Sequence, residues 1–152
     1  MKASEPYLVA VLVVDDSAVV RQRLCQLLKE EKRVHLVGAA GTAVDAVMLF
    51  EMHAPDAVLL DLHMPDFNGL EVLRWIKRSS HCCVVVVLTN SSLPEFREAC
   101  QREGADYFFH KASEFEKAIS VLGSLPPRNP QNRPTPAKAS LPKTAPTKLN
   151  LL

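Results

Sequence analysis

The 152-residue sequence holds no apolar run that approaches the roughly 18 residues needed to cross a bilayer. No signal peptide is expected either. The apolar stretch Tyr7 to Val14 ends in two aspartates, with no small-residue cleavage site after it. The four cysteines, Cys25, Cys82, Cys83 and Cys100, include no CxxC pair and no histidines at zinc-site spacing. A cytoplasmic location is expected on these grounds, and Cys82-Cys83 reads as small core hydrophobes at a strand start. Acidic residues are missing altogether from 124–152, where Arg128, Arg133, Lys138, Lys143 and Lys148 lie. Those five are drawn from 18 basic residues, so the first 123 positions hold 13 basic against 17 acidic side chains, a net of −4. The whole-chain charge of +1 therefore averages a mildly acidic body and a basic tail.

What is present is a core. Hydrophobic residues make up 47% of the chain, ample for one domain of ordinary size. Apolar runs alternate with amphipathic ones five times. Leu8 to Val14 is β-branched-rich and continuous, as expected of a strand covered on both faces. Val20, Leu24 and Leu27 follow at helical spacing and predict a helix over roughly 17–30. Val34 to Ala39 is a second strand, and Thr42 with Asp45 can form a capping box for a helix reaching about His53. Ala57 to Leu60 is a third strand ending on Asp61, followed by a helix over about 68–79 marked by Leu70, Leu73 and Ile76. Val84 to Leu88 is a fourth strand. Ser92 and Glu95 form a second possible capping box, and Gly104 sits where a C-cap glycine belongs. Tyr107-Phe108-Phe109 is a short fifth strand, with Ser113 and Glu116 placed to cap a last helix ending near Gly123.

Five βα units with buried strands imply an α/β fold, a parallel sheet with helices on both faces and right-handed connections. Beyond Gly123 the pattern stops. Seven of the eleven prolines fall there and forbid a helix, so 1–123 is read as the domain and 124–152 as a disordered basic, proline-rich tail. No second globular pattern follows that would provide a DNA-binding or enzymatic output.

The polar residues collect at the strand ends: Asp15-Asp16 after the first strand, Asp61 after the third, Thr89 on the fourth and Lys111 after the fifth. In open α/β sheets, ligands bind outside the carboxyl ends of the strands. Taken singly, each residue has an ordinary explanation as a helix cap, a turn residue or plain surface. Together, three carboxylates repel unless a cation offsets them, and oxygen ligands of this kind suit Mg²⁺. An aspartate beside Mg²⁺, a lysine and a hydroxyl is equipped to attack phosphorus and form an acyl phosphate.

The segments Val13-Val14-Asp15-Asp16-Ser17, Asp61-Leu62-His63-Met64-Pro65 with Gly69, Leu88-Thr89, and Gly104-Ala105-Asp106-Tyr107-Phe108-Phe109-His110-Lys111 resemble the response-regulator receiver domains of two-component signalling. The resemblance covers about 7–123. It implies a flavodoxin-like (βα)5 fold with strand order 2-1-3-4-5. It further implies that Asp61 accepts phosphate from a sensor histidine kinase or phosphotransfer protein. Asp15 and Asp16 would hold Mg²⁺ with Asp61 and the His63 backbone carbonyl, Thr89 and Lys111 would contact the phosphoryl group, and Thr89 with Phe108 would form the switch. Self-catalysed transfer and slow dephosphorylation would be the only chemistry, so no enzyme of the ordinary kind is expected. Output would run through protein contact on the 91–122 face, including Leu93, Pro94, Phe96 and Phe108, or through a phosphorelay.

Three positions depart from the family pattern. Lys111 is followed by Ala112 where proline with a cis bond is usual. A non-proline cis bond costs about 2.5–4 kcal/mol, so this loop is either strained or rearranged. Asn90 stands where a small residue is usual, and Phe108 where tyrosine is. His63 and Ser91, two residues beyond Asp61 and Thr89, occupy positions that in the family tune phosphate lifetime. Nucleic-acid binding is disfavoured, because five charges spread over the tail without aromatics leave a weak footprint. A flavin carrier would need a Ser/Thr/Gly-rich phosphate loop where Asp15-Asp16 stand. A phosphate-free scaffold of the same fold is the remaining rival.

Overall fold

The computed structural model describes residues 7–80, 82–91 and 93–127. The expected tail lies, from 128 onward, outside the described residues, and so does Ser92 with its share of the capping box. Ten elements alternate: β1 Val9–Val14, α1 Ala18–Glu30, β2 Val34–Ala40, α2 Ala43–His53, β3 Ala57–Leu60, α3 Gly69–Ser79, β4 Val84–Thr89, α4 Pro94–Arg102, β5 Tyr107–His110 and α5 Phe115–Ser124. The strands form one parallel sheet in the order β2-β1-β3-β4-β5, the flavodoxin-like order.

The two-residue period of a strand divides the core. Leu12, Val14, Val58, Leu60, Val85 and Val87 point to the layer roofed by α2, α3 and α4, where the rings of Phe50 and Trp75 meet edge to face at 5.3 Å. Val9, Val11, Val13, Leu59, Val86 and Leu88 point the other way, under Leu24 and Leu28 of α1 and Leu122 of α5. The central strands are apolar on both sides because both sides are covered. Among the described residues no helix is long and apolar enough to cross a membrane.

The helix starts show where local sequence decides and where it does not. Ser17 caps α1 by accepting the Val20 N–H, and Asn68 caps α3 by accepting that of Leu70. Thr42 accepts the Asp45 N–H as expected, but the first two amides of α2 go to the Asp66 carboxylate, 2.8 Å from Ala43 N and 3.1 Å from Val44 N. Two expectations are corrected. Among the described residues no side chain caps α4, whose N-cap is Leu93 rather than Ser92, with Pro94 at the first helical position, which needs no amide acceptor there. Ser113 does not cap α5, because the N-cap is Glu114 and the Ser113 hydroxyl turns back to the His110 ring. α5 runs through Gly123 to Ser124.

Phe96 is also corrected: it is buried with Ala99 and Cys100 in the layer under α4, so it is not part of an open 91–122 face. The adjacent cysteines divide, with Cys83 buried and Cys82 exposed. Burial pushes the Cys100 thiol up to about 12, so it behaves as an inert core group. Gly104 ends α4 at φ 96°, a conformation that L side chains rarely adopt.

Candidate functional site

Strand register brings the acidic residues together. Val14 is the partner of Leu60 across β1 and β3, so the next residues, Asp15 and Asp61, leave the sheet side by side. Backbone bonds extend the ladder through both: Asp61 N–H donates to Val14 O at 2.9 Å and Asp15 N–H to Ala40 O at 3.0 Å. β4 runs two residues beyond the Leu60–Val87 pair, carrying Thr89 to the same edge opposite His110 of β5. Lys111 N–H then donates to Thr89 O at 2.7 Å and starts the lysine side chain back over the sheet end.

Lys111 closes the site. Its Nζ lies 2.6 Å from Asp15 Oδ2 and 2.9 Å from Asp61 Oδ2. Asp15 and Asp61 are only 1% and 4% exposed, whereas Asp16 faces solvent, and one carboxylate oxygen from each of the three lies within 4.8 Å of the others. Asp15 Oδ1 accepts the Ser17 N–H at 2.9 Å, and Asp61 Oδ1 accepts the His63 N–H at 3.2 Å. One ammonium against three carboxylates leaves the pocket short of positive charge. The donors are all oxygen, two of them held by backbone amides and one free in solvent, which is the set a hard divalent cation takes.

Electrostatics follow from burial. Loss of hydration raises the Asp61 pKa above the ordinary aspartate value, outweighing the hydrogen bond and charge of Lys111 and the His63 amide, while Asp15 pushes it in the same direction. Burial by itself would depress Lys111, but its bonds to Asp15 and Asp61 overcome this and raise it, so the ammonium stays charged. Removing the Asp61 charge should therefore help the metal-free fold. For a carboxylate with a raised folded pKa, the folded state binds the extra proton. The penalty is absent below the unfolded value and complete above the folded one. We expect Asp61→Asn to raise the unfolding midpoint near neutral pH, where the buried carboxylate is charged. Thermal scans from acid to neutral pH, without metal, should show the gain vanish at the acid end.

Thr89 is fully buried, and its Oγ1 accepts the Ser91 N–H at 3.3 Å. Phe108 is half-buried against the α4 side of the core, with the Arg97 guanidinium 5.6 Å above its ring. His63 is exposed and forms a single antiparallel bridge with Asn68. Among the described residues no peptide bond is cis, so Lys111–Ala112 is trans, and residues 111–113 form a turn. Asn90 is exposed, and its carbonyl takes up the His110 ring.

Two further residues shape the site. Arg21 of α1 donates from Nη1 to Asp15 O at 2.7 Å and lies across Gly41, where a Cβ would sit 2.7 Å from that nitrogen. Gly69 packs the start of α3 on the Asp61 loop: its N–H donates to Leu62 O at 2.9 Å, and a Cβ there would stand 2.3 Å from Leu62 Cα. The sequence carries a cue for Gly69, which sits at the helix start, but none for Arg21, whose partner is a backbone carbonyl.

The family model for the response regulator receiver domain matches residues 11–122. The response regulator UvrY of Escherichia coli (strain K12) is 30% identical over 118 residues, covering 78% of this chain and 54% of that protein. The protein-glutamate methylesterase/protein-glutamine glutaminase of Bacillus subtilis (strain 168) is 35% identical over 107 residues, 70% of this chain and 30% of that one. The chain thus spans about half or less of the length of these curated relatives. Among solved structures, the signal receiver domain of the response regulator NarL from Mycobacterium tuberculosis superposes with a TM-score of 0.70 at 28% identity, covering 77% of this chain and 94% of that one. The response regulator domain of Thermotoga maritima CheB gives 0.66 at 26%, covering 76% and 90%.

Proposed function

This chain belongs to the response regulator receiver domain family, and from that premise we propose that Asp61 is the phosphoryl acceptor of a two-component switch built on residues 1–123. The observation that carries the reading is the single ammonium, Lys111 Nζ, shared at 2.6 and 2.9 Å between two nearly buried aspartates at adjacent strand ends. A purely structural pairing needs one carboxylate, and the second leaves negative charge that a cation or a phosphoryl transition state would balance.

In the proposed transfer, a carboxylate oxygen of Asp61 bonds to phosphorus as the P–N bond of a phosphohistidine breaks, the electron pair returning to the imidazole of a histidine kinase or phosphotransfer protein. Asp15, Asp16, Asp61 and the His63 carbonyl would hold Mg²⁺, whose charge would stabilise the phosphoryl oxygens when bound. Lys111 keeps its bond to Asp15 while its charge reaches the incoming group. The Ser91 N–H occupies one lone pair of Thr89 Oγ1, which leaves the hydroxyl proton free to donate to the phosphoryl group. Movement of Thr89 toward that group would open space for Phe108, whose ring gives up Arg97 as it turns. The face then read by a partner protein holds Leu93, Pro94 and Tyr107, all exposed, together with Phe108. Chemistry of this kind makes the chain an acceptor and carrier of phosphate rather than an enzyme with an external substrate.

Incubation with acetyl phosphate and Mg²⁺ tests the reading by intact mass. One added phosphoryl group, dependent on metal and absent in Asp61→Asn, is the expected result. No gain at saturating donor would favour a phosphate-free scaffold.

A further inference from the structure

His110 ends β5, directly before Lys111, and its ring lies between two loops. Nε2 sits 3.1 Å from Asn90 O, in the loop after β4, and Nδ1 sits 3.3 Å from Ser113 Oγ, in the loop after β5. A carbonyl oxygen can only accept, so Nε2 carries a proton. The Ser113 hydroxyl can donate to Nδ1 or accept from it, so the Asn90 bond persists in either charge state of the ring.

The ring is held on a fixed mount. The His110 N–H donates to Glu114 Oε2 at 3.1 Å, and the His110 carbonyl accepts the Glu114 N–H at 2.8 Å. What it holds lies next to the acceptor site. Asn90 stands between Thr89 and Ser91, and the Ser91 N–H is the group that orients the Thr89 hydroxyl. On the other side, the Lys111 N–H is bonded to Thr89 O. Thr89 at the end of β4 and Lys111 just past the end of β5, the two residues that would contact a phosphoryl group, are thus joined by a backbone bond, and the segment after Thr89 is joined to the end of β5 by the imidazole. The loop after Lys111 also runs through a trans bond to an alanine, so no proline ring stiffens it, and water competes for the exposed Asn90.

We propose that His110 is a positioning residue that clasps the loop after β4 to the loop after β5 and so sets the rate at which Asp61 takes up phosphoryl groups. The inference rests on Asp61 being the acceptor. Both Thr89 and Lys111 must be in place together at the moment of transfer, and loss of the clasp lets the 90–91 segment drift, which lowers the rate without changing how donor binds.

The test compares wild type, His110→Leu, His110→Ala and His110→Gln. The glutamine amide nitrogen lies at the reach of Nε2 and can donate to Asn90 O, whereas leucine fills volume with no donor and alanine does neither. With acetyl phosphate and Mg²⁺, uptake followed by intact mass should show a maximal rate about fivefold lower in the leucine and alanine variants, at unchanged half-saturating donor concentration. Glutamine should restore it to within about twofold. In the unphosphorylated proteins, the NMR signal of the Ser91 amide should move in the leucine and alanine variants and return toward its wild-type position in glutamine. Equal maximal rates in all four, or equal losses in glutamine and leucine, would overturn the clasp. A wild type that takes up no phosphate would overturn the acceptor reading instead, and the Ser91 amide would still decide whether the ring holds the loop.

Discussion

Lys111→Met is expected to slow phosphoryl uptake by Asp61 by about 10²–10³-fold, the loss seen when one donor is removed from a preorganised anion site. Methionine keeps the reach and apolar stem of lysine but supplies no charge. The same change should destabilise the metal-free fold by about 3–5 kcal/mol, because it strands the carboxylates of Asp15 and Asp61 beside each other at 1% and 4% exposure without the ammonium that bridges them. The two effects separate in one experiment. Added Mg²⁺ should raise the unfolding midpoint of the variant more than that of wild type, since in the variant it would take over the charge that Lys111 brings to the carboxylate oxygens. Transfer should stay slow even at saturating metal. A variant that unfolds as wild type does without metal would mean that Lys111 is not the group neutralising the pair.

Gly69→Ala is expected to cost at least about 3 kcal/mol, more than any surface change in this chain. The added methyl would stand 2.3 Å from Leu62 Cα and 2.4 Å from Leu62 O, and both obstacles are backbone, so no rotamer change relieves it. α3 must then lift from the segment that follows Asp61. That movement breaks the Gly69 N–H bond to Leu62 O and disturbs the His63 N–H bond to Asp61 Oδ1. Chemical denaturation should show the loss of stability. Residual folded protein should also take up phosphate more slowly, because the acceptor loop has shifted. A variant within 1 kcal/mol of wild type would mean that the α3 start can slide at little cost.

Most of the architecture was legible because buried parallel strands leave a plain mark. Residues 9–14 and 84–88 are continuous apolar runs, and their ends deliver Asp15 and Thr89 to one edge. The candidate site was legible for the same reason, since its residues are defined by where strands stop. What escaped the sequence depended on contacts far along the chain. Asp66 caps α2 from 23 positions away, so Thr42 and Asp45 alone gave half the arrangement. Ser113 looked like a cap, but the His110 ring stands within reach and takes its hydroxyl. The burial of Phe96 was readable in principle, because Phe96, Ala99 and Cys100 share helical spacing and form the buried face of α4. β2 carries an irregularity opposite Val11 and Leu12, with Val37 left over between Leu36 and Gly38, which strand propensity does not foretell.

The acceptor itself can be located directly. Borohydride reduces an aspartyl phosphate to homoserine, so protein treated with acetyl phosphate and Mg²⁺, reduced and digested can be read residue by residue in the peptide spanning Asp61. Homoserine at position 61, and at neither Asp15 nor Asp16, is the expected result. Phosphate found only on a histidine, or homoserine at another aspartate with position 61 unchanged, would contradict the account.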